Sequence, residues 1–397
     1  MRFRLTFWKV VFVLIMIWGA YSTYVRFFHG LGAVSNMSDT FPWGIWIGFD
    51  VLCGVMLAAG GFCVTGAVHI LNIKSLHSIV RPTVLTAFLG YILVCVGLMF
   101  DLGRPYNIWH PMVMYNPHSV MFEVGWCVML YSTVLALEFS PIVLERFNLQ
   151  KPLKVIKACL IPLVILGVIL STLHQSSLGT LYLIMPTKLH SFWYTPALPF
   201  FFFISAIAVG LSMTIFESSL SSRAFHRQLE LPVIRELGRA LLVVLTIYGL
   251  LRFEDLFRRG QLTKVITPGY EAYFLWLELA LAVVIPVALL SRKKIRMSAN
   301  GLYWTSVICL MGFITNRLNV SITGLEWWSG HHYIPKWTEY GITAAIIAMG
   351  FFVFAMAVKY LPIFPAEEGH AASPVVGGRH SLPDPQLVEE EVVHAGD

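Results

Sequence analysis

An all-α polytopic membrane protein is the fold class this sequence predicts, and three observations carry it. The 397 residues are 57% hydrophobic and only 13% charged, about half the charged share of a soluble domain. The mean hydropathy is +0.71. The apolar residues come in runs of about 18–25, the length that spans a hydrocarbon core at about 1.5 Å per residue. A net charge of +6 and a pI near 9.0 do not point to nucleic acid, because the basic residues sit in short loops between the runs.

Ten spans follow in order, at 7–28, 44–70, 82–100, 119–139, 155–173, 197–216, 233–251, 270–290, 302–318 and 338–359. The first follows Arg2 and Arg4 and has no small-residue cleavage site after it, so it reads as a retained span rather than a signal peptide. Lys and Arg divide 19 to the N-terminal side and 9 to the other, which predicts both termini in the cytoplasm. A short repeat is visible. Asp101-Leu-Gly-Arg104 and Asp255-Leu-Phe-Arg258 are followed, 22 and 23 residues after their aspartates, by Glu123 and Glu278. It suggests two four-helix bundles, spans two to five and six to nine, with flanking helices, in a membrane domain over 1–360. Residues 361–397, Pro-rich and acidic at Glu389–Glu391, are expected to form a disordered cytoplasmic tail.

The second span organises the rest. It is apolar from Phe41 to Ile70, yet it holds Asp50 inside one end and His69 near the other. A carboxylate in hydrocarbon is costly and marks a protein interior. Asp50, Gly54, Ala58, Gly61 and Thr65 share one helical face, small enough for a neighbouring helix to approach closely. His69 points about 100° away from that face. No span is visibly broken by a Gly/Pro pair at its middle.

The six cysteines lie in or at the ends of apolar segments and form no CxxC pair, so neither an iron–sulfur cluster nor a metal site is expected. Nor is haem, because only His69 lies well within a predicted span. His29, His77, His110, His118, His174, His190, His331 and His332 are assigned to ends or loops, and no helix carries two correctly spaced histidines.

Sorted by depth, the polar residues gather at the outer ends of the spans: Asp50, Asp101, Arg104, Glu123, His174, Gln175, Arg252, Glu254, Asp255, Arg317 and Asn319, with Glu278 deeper. The cytoplasmic ends hold His69, Glu138 and Glu217. Asp50, Glu123 and His174 come from three spans at similar depth, a set suited to hold a small polar ligand and exchange its protons. Arg252 with Asp255, and Arg317 with Glu278, read as structural charge pairs. The outer loops are rich in Trp, Tyr, His and Pro, as a docking platform or an interfacial aromatic belt would be.

Several stretches, taken together, resemble a known family: the second span FPWGIWIGFDVLCGVMLAAGGF, Asp101-Leu-Gly-Arg-Pro105, Leu173-His-Gln-Ser-Ser-Leu-Gly179, Phe192-Trp-Tyr-Thr-Pro-Ala197, the segment from Arg252 to Gly260, and Asn316-Arg-Leu-Asn319. The family is the NrfD/polysulfide-reductase membrane subunits, and within it the HybB-type subunit of periplasmic nickel–iron hydrogenase complexes. The likeness covers 1–360. It implies a haem-free, quinone-reactive anchor in the bacterial inner membrane. A periplasmic iron–sulfur subunit, attached to a nickel–iron hydrogenase or similar oxidoreductase, would pass electrons through it to menaquinone or ubiquinone. On that reading His174 holds and protonates the quinone, and Asp50 and Glu123 relay protons. Gln175, Asp101, Arg104 and Trp43 line or shape the site, and a path through Glu217 and His69 would couple it to the cytoplasm. A secondary transporter and a purely structural anchor are the rival readings.

Overall fold

The computed structural model describes residues 6–364; the expected tail lies outside them from residue 365 on. Among the described residues every regular element is helical. Ten long helices run in chain order: α1 (Phe7–His29), α2 (Trp46–His69), α3 (Lys74–Asp101), α4 (Val120–Arg146), α5 (Leu160–Leu183), α6 (Leu198–Ala224), α7 (Leu231–Arg258), α8 (Tyr270–Ser291), α9 (Ala299–Ser329) and α10 (Trp337–Tyr360). Nine of these are long and apolar enough to cross a membrane. The exception is α7, where Arg235, Glu236 and Arg239 near the start and Arg252, Glu254 and Asp255 near the end leave only the middle apolar.

Helices α2 to α5 each pack on the next, and α5 returns to α2, closing one four-helix bundle; α6 to α9 close a second. α1 pairs with α10, and α10 rests on α3. α2 joins the two bundles, touching α6 and α9 as well as its own neighbours. One end of the bundles carries the long loops, such as 102–119, 184–197 and 330–336; the other carries the basic connections, such as 147–159 and 292–298.

The small face expected on α2 is the face that meets α3. A methyl group built on Gly97 would fall 2.9 Å from Asp50 Cβ and one on Gly90 2.8 Å from Ala58 Cβ, while Gly54 and Gly61 lie against Val94 and Ala87. Backbones this close gain dispersion contacts, the main attraction where lipid is as apolar as the side chains.

α2 is nevertheless interrupted, contrary to expectation. Trp46–Cys53 is π-helical, and regular bonding lapses at Ala58–Ala59 before the helix resumes at Gly60. The Ala59 amide donates to Met56, not to Val55. Gly210 of α6 packs on the gap, where a methyl would stand 2.9 Å from the Ala59 carbonyl carbon. A freed carbonyl inside a bilayer needs another partner, and that of Val55 accepts the Gln175 side-chain amide at 3.2 Å. Ala58-Ala-Gly-Gly61 carried the signal, but without a proline it reads only as close packing.

α5 runs to Leu183, well past the expected end at 173. His174-Gln-Ser-Ser-Leu-Gly-Thr180 is polar in composition, which suggested a loop. Thr172, Ser176, Ser177 and Thr180, however, each donate their hydroxyl to the carbonyl four residues back, so the segment brings its own hydrogen bonds into the bundle. His174 therefore lies inside a helix, about 14 Å from its end at 1.5 Å per residue. Beyond α10 the chain stays packed as far as it is described: Ile363 is buried with Val84, Leu85, Phe139 and Ile142, and Arg81 donates to the Pro362 carbonyl at 2.9 Å.

Candidate functional site

A buried polar cluster lies in the middle of the first bundle. His174 is fully buried, and neither ring nitrogen has a hydrogen-bond partner among the described residues. Its ring lies beside Tyr91 of α3, centroids 5.6 Å apart, and Tyr91 meets Tyr131 of α4 edge to face at 4.7 Å. Ser171, one turn before His174, turns its hydroxyl toward both tyrosines. Even so, Ser171 Oγ, both phenol oxygens and Gln175 Oε1 have no partner within hydrogen-bonding geometry among the described residues. Roughly 90% or more of buried polar groups in native structures are paired with protein or water, and a bare one costs about 1–3 kcal/mol. Six such atoms from three helices lie together around His174 without a hydrogen-bond partner among the described residues.

The second bundle supplies the contrast. Glu278, 1% exposed, accepts from Trp193 Nε1 at 2.8 Å, Asn316 Nδ2 at 2.7 Å and Asn319 Nδ2 at 2.9 Å. Asp255 accepts from Thr195 at 2.6 Å and pairs with Arg259 at 2.5 Å and Arg252 at 3.4 Å, so the expected Arg252–Asp255 pair forms, with Arg259 as a third member. Arg317 and Glu278 do not pair directly, contrary to expectation. Asn316 stands between them, accepting from Arg317 Nη1 at 2.7 Å, because amide and indole donors already fill the carboxylate. Arg317 Nη2 goes to Ser205 at 2.7 Å, and its guanidinium stacks 3.7 Å from the Phe202 ring centroid. Only the Nε atoms of Arg252 and Arg317 lack a partner in this network.

The structure brings some of the sequence-predicted residues together and separates others. Glu123, near the start of α4, accepts from Ser177 at 2.5 Å, and Ser177 is one turn along α5 from His174, so Glu123 adjoins the cluster from the long-loop end. Gln175 borders the cluster while holding Val55. Asp50 does not converge with them: it lies on the α3 face of α2 and accepts from Thr343 of α10 at 2.8 Å, whereas α5 packs on the side carrying Val55. Trp43 stands edge to face with Tyr182 at 5.4 Å, two turns from His174. Asp101 sits beside Arg26, which donates to the carbonyls of Phe100 and Leu102 at 2.6 Å each; it is about 15 Å along α3 from Tyr91. Arg104 is exposed in the following loop. His69 and Glu217 belong to the basic half, with Glu217 facing Thr86 and its Oε1 unpartnered.

Sequence reasoning missed Tyr91, Tyr131 and Ser171. The available signal was a hydroxylated ring in the middle of each of two aliphatic runs, and a serine three residues before the histidine on the same helical face.

Fold and site together define an integral membrane protein with two buried polar clusters, one around Glu278 and one around His174. The family described as Polysulphide reductase, NrfD matches residues 33–327, and the chain belongs to it. It is similar to a Nitratidesulfovibrio vulgaris protein (40% identical, 89% of this chain and 94% of that one). It is similar also to the Escherichia coli probable Ni/Fe-hydrogenase 2 b-type cytochrome subunit (32% identical, 86% and 88%). A third relative is the integral membrane subunit of a menaquinone reductase from N. vulgaris (30% identical, 88% and 90%).

The name of the E. coli relative raises haem, and His69 and His174, the histidines deepest in the spans of the first bundle, do not fit an axial pair. Gly66 of α2 is level with Val168 of α5, since a methyl built there would stand 3.2 Å from Val168 Cγ2. His69 lies beyond Gly66 toward the basic end and His174 beyond Val168 toward the other. They are therefore about 13 Å apart along the bundle axis, too far for one iron to join. Among the described residues no three His, Cys, Asp or Glu side chains gather as metal ligands.

Proposed function

We propose that this chain is the quinone-reactive membrane subunit of a multi-subunit oxidoreductase, with the quinone ring bound at the His174 cluster. The observation that supports this most strongly is the contrast between the bundles: a Glu278 carboxylate filled by three donors, and six polar atoms around His174 without a partner among the described residues. The relatives named as hydrogenase and menaquinone reductase subunits supply the reaction class.

Menaquinone or ubiquinone carries two carbonyl oxygens on a planar ring and takes up two electrons and two protons to become the quinol. His174 donates a hydrogen bond, then a proton, to one oxygen; the phenols of Tyr91 and Tyr131 and the Ser171 hydroxyl serve the other side. Glu123, exposed near the head of α4 and tied to Ser177, marks the seam between α4 and α5 by which the ring enters from lipid. Trp43, Asp101 and Arg104 shape the outer surface without touching the ring. Asp50, Glu217 and His69 are the other intramembrane groups placed to carry protons. The electrons come from an iron–sulfur subunit docked on the long-loop end, which faces the periplasm, and behind it stands a nickel–iron hydrogenase or similar oxidoreductase. Both termini of the chain then lie in the cytoplasm.

The test is His174→Gln in the complex isolated by a tag on this chain. Quinone-linked turnover should fall about a hundredfold or more, as loss of a general acid does, while turnover with a soluble dye acceptor and the subunit composition stay as in the wild type. Unchanged quinone turnover refutes the assignment.

A further inference from the structure

Glu138 is an intramembrane carboxylate to which the reading above gives no role. It lies seven residues beyond Tyr131 on α4, two turns further toward the basic end and on the same face. Opposite it on α5 is Gly167, which shares a face with Ser171 and His174 at spacings of four and seven residues. The carboxylate occupies the room that this glycine leaves. A methyl group built on Gly167 would stand 2.8 Å from Glu138 Oε1, 3.4 Å from Val134 Cγ1 and 3.7 Å from a ring carbon of Tyr131. No side chain among the described residues hydrogen-bonds or ion-pairs with Glu138. A further seven residues along the same face is Glu145, at the basic end, held by Arg81 at 2.9 Å and Lys157 at 3.0 Å.

A carboxylate without a counter-ion inside a span is expensive and is retained where it handles charge. Here a glycine keeps space for it, one stripe of α4 links it to the tyrosine pair, and the same stripe continues to the surface. We infer that Glu138 is the proton carrier between the His174 cluster and the basic end of the first bundle. The inference rests on the quinone reading of that cluster. When a partner's iron–sulfur cluster delivers two electrons to the quinone, two protons follow, one to each ring oxygen. His174 gives one while taking another at its second ring nitrogen, and the Tyr131, Tyr91 and Ser171 hydroxyls pass the other, completing the quinol. Both protons are replaced through those hydroxyls from Glu138, which takes them one at a time from bulk water at the basic end beside Glu145. Quinol oxidation runs the same steps backwards.

The experiment compares Glu138→Gln and Gly167→Ala in the intact complex, reconstituted into vesicles that hold a pH-sensitive dye on the basic-end side. For Glu138→Gln the proposal expects quinone-linked turnover at least tenfold lower and the dye signal per electron lost, with dye-acceptor turnover unchanged. Gly167→Ala, which crowds the carboxylate without removing it, should show the same defect in milder form, and Glu138→Asp should restore part of the signal. Wild-type turnover and dye signal in both Glu138→Gln and Gly167→Ala overturn the proposal. That result leaves the quinone site standing, since that depends on the separate His174→Gln measurement.

Discussion

The side-chain amide of Gln175 holds the Val55 carbonyl at 3.2 Å and so closes, from α5, the gap in the hydrogen-bond ladder of α2. One residue along the same helix, His174 offers two nitrogens that no described residue engages. Structural and functional polarity are thus neighbours in sequence, and substitutions should separate them.

Gln175→Leu strips the Val55 carbonyl of the one side-chain partner it has among the described residues. The bare carbonyl should cost about 1–3 kcal/mol, read as a lower midpoint of thermal unfolding of the detergent-purified complex. Gln175→Glu, which loses the amide donor but keeps the shape, should show the same loss.

Tyr131→Phe removes a hydroxyl that has no partner in hydrogen-bonding geometry among the described residues, so it should leave the thermal midpoint unchanged or slightly raised. Quinone-linked turnover should nonetheless drop by tenfold or more. A fall in both together would mean that the hydroxyl is structural.

Glu278→Ala does the reverse. It leaves the donors of Trp193, Asn316 and Asn319 unpaired in the interior, a loss of about 3–5 kcal/mol for a broken buried charged network. Yield and thermal midpoint should fall sharply. Any complex that does assemble should keep its Michaelis constant for quinone.

Gly210→Val places a branched side chain against the α2 backbone at Ala59, where even a methyl would stand 2.9 Å from the carbonyl carbon. Backbone cannot give way as a side chain can, so a cost at or above the usual 1–3 kcal/mol of overpacking is expected, roughly. Reduced assembly of the complex on native gels is the readout.

In the loop between α5 and α6, burial and the nearby Lys264 charge push the His190 imidazole down, against an opposing pull from Glu271. Its Nδ1 accepts the Phe192 amide at 3.3 Å. A base depressed in the folded state contributes stability that is complete above its unfolded value of about 6.5. That contribution is lost as pH falls below this value toward the folded one. Hydrogen exchange of residues 186–194 should therefore quicken as pH drops from 7 to 5, after correction for intrinsic rates, and His190→Gln should flatten the dependence.

Much of the fold was legible because membrane-length apolar runs and the Asp50, Gly54, Ala58, Gly61 stripe report geometry directly: that stripe is where α3 packs. The ends of spans were not legible where hydroxyl side chains disguise helix as loop. Ending α5 at 173 turned a buried His174 into a surface histidine and made its depth look equal to that of Asp50. The wheel gave the face Asp50 occupies but not which neighbour covers it, and that neighbour separates it from His174. The tyrosine pair was hidden because an aromatic ring in an aliphatic run reads as packing, and only the missing partners of its hydroxyls show otherwise.

The most direct measurement is photolabelling of the intact complex with an azido-quinone, followed by mass-spectrometric mapping of the modified peptides. The account predicts modification within 171–178 on α5 and around Tyr91 or Tyr131, suppressed by excess natural quinone and by His174→Gln. Competed labelling confined to α6–α9, or to the surface beside Asp101 and Arg104, would contradict it.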